Sequence, residues 1–65
     1  MELQLNGVPL EVQITTLADL LSAEGFGGTK VATAVNGVFV PALARVDHTL
    51  SDGDCIEVLA PMQGG

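Results

Sequence analysis

The sequence is short of the residues that proteins use to grip nucleic acid, metals and membranes. It holds two basic residues, Lys30 and Arg45, against eight acidic ones, for a net charge of −6. Neutralising a phosphate backbone takes a Lys/Arg patch, so nucleic acid is excluded as a partner, and anionic membranes are disfavoured for the same reason. There is one cysteine, Cys55, and one histidine, His48. A lone cysteine rules out an internal disulfide and a multi-cysteine zinc site, and it fits a soluble protein in a reducing, cytoplasmic compartment. No apolar run approaches the ~20 residues that a membrane helix needs. MELQLNG, at the N-terminus, lacks the basic segment and apolar stretch of a signal peptide.

What remains is enough for one small domain. Of the 65 residues, 48% are apolar, which is ample for a single core. A domain of this size buries only about 60% of the surface that its unfolded chain exposes.

Met1, Leu3 and Leu5 alternate with Glu2, Gln4 and Asn6, the period of a half-buried strand. Asn6-Gly7 is a strong hairpin signal. Alternation resumes from Val8 to Ile14, and Pro9 places this second strand at a sheet edge because it cannot donate a ladder hydrogen bond. Thr16 is a candidate N-cap with Asp19 three residues on, close to a capping box. Leu17, Leu20 and Leu21 share one face of a helix over about Leu17 to Glu24, with Gly25 as its left-handed stop. Gly27 and Gly28 form a loop. A strand over Val31 to Val35, a second Asn-Gly turn at Asn36-Gly37, and a short strand over Val38 to Val40 follow, closed by Pro41. ALARVDHTL reads as irregular, with room for a helical turn. SDGD is a tight turn, and Cys55 to Ala60 is the last strand, ended by Pro61. With one helix, the economical packing lays its leucine face across one side of the sheet.

The internal candidates for chemistry all have plainer explanations. GFGGTK, Gly25 to Lys30, follows a helix instead of opening one, so it is no phosphate loop. His48 has no partners at metal or triad spacing and reads as a loop residue. Cys55 has no histidine to activate it and reads as a small strand residue. Asp52 and Asp54 flank Gly53 as turn residues do. Phe39 and Leu59 fit either a core or an exposed partner patch, and the sequence leaves both open.

The tail is different. PMQGG places Gly64 and Gly65 at the end of the chain, where they bury no side chain and favour no regular structure. The Gly65 carboxylate, with an ordinary pKa of ~3.5, is ionised at neutral pH and a poor electrophile. It reacts only once activated, for instance as an acyl adenylate formed with ATP in another protein's active site. Four residues beyond Pro61 span at most about 13–14 Å, and two glycines pass a narrow channel that side chains would block. The expected organisation is a folded domain over residues 1–60 and a flexible tail over 61–65.

Taken together, ELQLNG, TLADLL, VATAVNGVFVP, LSDGDCIEVL and PMQGG resemble, from end to end, the ThiS family of sulfur carriers of thiamine biosynthesis. The resemblance implies an α+β, ubiquitin-like β-grasp fold: a mixed sheet of four to five strands with one main helix across one face. In it the first and last strands pair in parallel at the centre. It also implies a carrier that is not itself an enzyme and binds no cofactor or metal. An adenylating enzyme, related to the ubiquitin-activating enzymes, would use ATP and magnesium to adenylate Gly65. Sulfur from a donor such as a cysteine desulfurase would convert it to a thiocarboxylate, and thiazole synthase would take that sulfur. Gly65 would carry the sulfur and Gly64 would thread into the partner. ALARVD departs from the more charged sequence expected after VP. Three alternatives stay open at this point: the small sulfur-carrying subunit of molybdopterin synthase, a ubiquitin-like protein modifier joined to lysines through Gly65, and an inert binding module with Gly-Gly as a frayed end.

Overall fold

The computed structural model describes residues 1–26 and 30–60. Five strands form one sheet: β1 (Glu2–Leu5), β2 (Val8–Glu11), β3 (Ala32–Val35), β4 (Val38–Val40) and β5 (Cys55–Leu59). Their order across the sheet is β2-β1-β5-β3-β4. Helix α1 (Leu17–Ala23) follows the first hairpin, and a 3-10 helix (Ala42–Asp47) follows the second.

Both hairpins close through Asn-Gly. Asn6 and Asn36 take φ of 51° and 52°, and Gly7 and Gly37 both take 83°. Two successive positive φ values match the right-handed twist of the flanking strands. β1 pairs antiparallel with β2 and parallel with β5, with Gln4 opposite Cys55 and Leu5 opposite Ile56. β3 pairs antiparallel with both β4 and β5. The last strand is therefore central, beside the first, as the resemblance implied. Pro9 lies on the edge strand β2, as its missing N–H requires.

The second strand stops at Glu11 and does not run to Ile14. Val12 still donates to the Met1 carbonyl at 2.9 Å, but Met1 is where the partner strand runs out. Val12 and Ile14 leave the ladder and pack against the core.

Helix α1 is closed at both ends by local chemistry. Thr16 Oγ1 accepts from the Asp19 N–H at 3.2 Å, and the Asp19 carboxylate accepts from the Thr16 N–H at 3.3 Å. That is a full capping box, built with aspartate. At the other end Gly25 takes φ of 89°. Phe26 N donates to the Leu21 carbonyl at 2.7 Å and Gly25 N to the Ser22 carbonyl at 3.3 Å. This double closure is a Schellman motif, and it ends the helix at Ala23, one residue before the expected Glu24.

Leu17, Leu20 and Leu21 of α1 are buried against one face of the sheet, with Leu3, Ile56 and Val58 from the two central strands. Truncating one such leucine to alanine costs about 2–5 kcal/mol, a large share of a small domain's stability. ALARVD is a 3-10 helix with no buried side chain of its own. The last strand ends at Leu59, one residue short of the expected Ala60.

Candidate functional site

Because α1 covers one face only, the odd positions of the central strand look outward. Ile56 and Val58 are buried, whereas Cys55, Glu57 and Leu59 are exposed. On β3 the outward residues are Ala32 and Ala34, and on β4 it is Phe39. Ala34 lies between Phe39 and Glu57, and Ala32 lies beside Leu59. Phe39 is 64% exposed and Leu59 is 68% exposed. The question left open by the sequence is thus answered: both belong to a surface patch. The two alanines are short, so Phe39 and Leu59 stand above a hollow between them.

The patch continues to the end of β5. A second groove is lined by Lys30, Val31 and Ala32 on one side and Leu59 and Ala60 on the other. The antiparallel register produces it, since the start of β3 must lie beside the end of β5. Contiguous exposed apolar surface of this kind is the candidate interaction site of the described residues. Glu57 flanks the patch, and Glu2 and Glu11 extend the acidic surface across the outer face of the first hairpin. Lys30 stands at the other end.

The remaining sequence candidates occupy structural places. The Asp52 carboxylate accepts from the Glu2 N–H at 2.6 Å. The Asp54 carboxylate accepts from Asn36 Nδ2 and from the Ser51 N–H, each at 2.9 Å. These are turn and strand-end contacts, not a paired acid and base. Gly53 takes the positive φ, 89°, that the turn requires. His48 ends the 3-10 helix, and its carbonyl accepts from the Leu17 N–H at 2.9 Å. Cys55 is exposed beside Gln4 at the start of β5, about 16 Å of strand from Ala60. None of these is gathered at the patch. Among the described residues, no group of three or more His, Cys, Asp or Glu side chains could hold a metal. No helix among them is long and apolar enough to cross a membrane. The Met1 ammonium is held above its ordinary pKa by a hydrogen bond to Glu11 at 2.9 Å. Gly64 and Gly65, and the loop glycines Gly27 and Gly28, lie outside the described residues.

Sequence reasoning missed Ala32 and Ala34 as parts of the patch, and Arg45 altogether. The alternation in VATAV carried the signal for the alanines, because a period of two puts both on the face opposite Thr33 and Val35.

A two-layer domain with order β2-β1-β5-β3-β4, a parallel central pair and one helix on one face is a ubiquitin-like β-grasp domain, with an exposed patch running to the end of its last strand. Family comparison narrows the class. The ThiS family model matches residues 3–65. The sulfur carrier protein ThiS of Thermus thermophilus is 39% identical over 61 residues, covering 94% of this chain and 95% of that protein. The crystal structure of the thiamine biosynthesis protein ThiS from Geobacter metallireducens superposes with a TM-score of 0.85 at 33% identity, over the whole of both chains. A solution structure of a thiamine biosynthesis protein from the same organism gives 0.79 at 33% identity, covering all of this chain and 88% of that one. The chain belongs to the ThiS family.

Proposed function

We propose that this protein carries sulfur for thiamine biosynthesis on its C-terminal glycine and is the substrate of other enzymes, not a catalyst. The observation that carries the reading is where β5 delivers the chain. The central strand ends at an exposed apolar patch, so the described chain ends, at Ala60, beside a surface on which another protein can seat. Family membership supplies the chemistry.

The adenylating partner docks on Phe39, Leu59 and the alanines between them. One oxygen of the Gly65 carboxylate attacks the α-phosphorus of magnesium-bound ATP, and pyrophosphate leaves. The carbonyl carbon of the acyl adenylate is then electrophilic. A sulfur nucleophile, drawn from a persulfide such as a cysteine desulfurase provides, attacks it and expels AMP. Reductive cleavage of the S–S bond by a thiol leaves the thiocarboxylate, which thiazole synthase consumes. Gly64 gives the tail the slim profile that threading needs. Seating comes from the folded domain and reaction from the tail, so the same patch can serve successive partners in turn.

Intact-mass measurement tests this. The carrier is incubated with the adenylating enzyme of its host, magnesium-ATP and a sulfur donor. The expected result is replacement of one oxygen by sulfur, mapped to Gly65. Deleting Gly65 withdraws the carboxylate by about 3.3–3.6 Å and abolishes loading with the fold intact. Full loading of that deletion variant refutes the mechanism. Loaded carrier is then offered to thiazole synthase and to a pterin-sulfurating enzyme, and transfer to the latter alone redirects the assignment to molybdopterin synthesis.

A further inference from the structure

Arg45 makes no ion pair among the described residues, where the one ion pair joins Met1 to Glu11. Its guanidinium instead donates from Nε to Thr33 Oγ1 at 2.9 Å and from Nη2 to the carbonyl of Val31. Thr33 is only 1% exposed, and its hydroxyl donates onward to the Val40 carbonyl at 2.9 Å. The register explains why an arginine stands there. Thr33 pairs with Val40, the last residue of β4. The β4 ladder ends there, and the next residue in the chain, Pro41, has no N–H to extend it. Beyond that, the chain has turned away into the 3-10 helix. The entrance of β3 therefore has β5 on one side and no strand on the other. Arg45 fills the empty side with a planar fork, which reaches two acceptors as a lysine ammonium would not.

We infer that Arg45 is a positioning residue for docking of the carrier on its adenylating partner. It fixes Val31 to Thr33, and with them one wall of the groove that Ala60, the residue before the tail in sequence, also lines. Ala32, within that stretch, also belongs to the docking patch. Releasing the guanidinium shifts groove and patch together and leaves the atoms of the tail unchanged. The consequence falls on KM for the carrier, not on kcat. This role rests on the proposed function, since it concerns the same docking event.

The test compares three variants of the full chain: Arg45→Ala, Arg45→Lys and Thr16→Ala. The last removes the N-cap hydroxyl of α1 and lowers stability without touching β3. Adenylation is followed against carrier concentration at a temperature where all are folded. Hydrogen exchange is read at the amides of Ala32 and Leu59, which pair across the groove. The expected result is a KM raised about tenfold in Arg45→Ala, on the scale of one lost charge-assisted contact. The lysine variant recovers only a minor part of this, and kcat stays within about twofold. Exchange at Ala32 and Leu59 speeds up in the Arg45 variants and not in Thr16→Ala, whose KM stays at the wild-type value. Equal KM values for Arg45→Ala and Thr16→Ala overturn the inference, as does faster exchange with KM unmoved. A wild-type carrier that an active adenylating enzyme ignores refutes the proposed function, and the role of Arg45 in it falls too. A normal wild type with unaltered Arg45 variants refutes the inference alone.

Discussion

Asn6 and Asn36 hold nearly the same backbone conformation, each ahead of a glycine at φ 83°, and each turns its side chain onto β5. Asn6 brackets Val58: Nδ2 donates to the Val58 carbonyl at 3.2 Å, and Oδ1 accepts from the Val58 N–H at 2.9 Å. Asn36 accepts from the Cys55 N–H at 3.0 Å and donates to the Asp54 carboxylate at 2.9 Å. The two hairpins thus grip the central strand at opposite ends with the same amide. Their outer faces differ. The first shows Glu2, Gln4, Pro9 and Glu11, and the second shows Ala32, Ala34 and Phe39. The shared part of the design builds the sheet, and the unshared part makes one half of its open face sticky. Turn chemistry is dictated by backbone twist and so repeats, whereas an uncovered face is free to be polar or apolar as a partner requires.

Breaking the second outer face has the largest expected effect. Phe39→Asp lowers the efficiency of sulfur loading at least about 30-fold, the size of an interface hot spot. Its melting temperature changes little, because Phe39 is mostly exposed. Glu2→Lys on the first face changes loading less than about threefold, as rim charges do. Equal losses in the two variants would erase the functional distinction between the hairpins.

The amide clamps come next. Asn6→Ala costs about 2 kcal/mol in urea unfolding and Asn36→Ala about 1 kcal/mol, because the bonds of Asn6 are part-buried and those of Asn36 are exposed. Glycine at either position keeps the positive φ, so Asn6→Gly isolates the clamp from the backbone strain. A larger loss at Asn36 would reverse this ranking. Gly7→Ala and Gly37→Ala sharpen the likeness. A Cβ at either site meets nothing within 4 Å, and the φ is identical, so both cost about 1 kcal/mol through backbone strain alone. Unequal values would show that the turns are not equivalent.

The smallest effect concerns the first hairpin alone. Its folded-state ammonium at Met1 is raised above 8.0, chiefly by the hydrogen bond to Glu11. A raised pKa means that the folded state holds this proton more tightly than the unfolded state. The stabilisation is fully present below the unfolded value and lost as pH climbs through the folded one. A slight fall in stability above pH 8 is expected, and Glu11→Gln removes it. The amplitude is small because Met1 and Glu11 meet at the surface.

Local patterns made most of the elements legible. Both Asn-Gly turns, the capping box, the Gly25 stop and the edge position of Pro9 follow from chemistry within a few residues of each site. The parallel pairing of β1 with β5 came from resemblance to the ThiS family, since Gln4 and Cys55 are 51 residues apart and no local pattern links them. The 3-10 helix in ALARVD carries no buried face, so no apolar period announced it. The exposure of Phe39 and Leu59 stayed open because a strand's period tells which residues share a face, not which face the helix covers. Arg45 was hidden for a related reason. Its role depends on β4 stopping at Val40 while β3 starts one residue before the shared register, and its acceptors lie 12 and 14 residues away.

By itself the sequence determined the turns, the caps, the leucine face of α1 and the last strand, because each depends on dihedral preference or period over a few neighbouring residues. Only the tertiary structure decided that Asn6 and Asn36 bind β5, that the patch opens where β5 ends, and that Arg45 stands in for a missing strand. Those features arise when distant segments meet, and their geometry is set by how the sheet and helix close over a shared core.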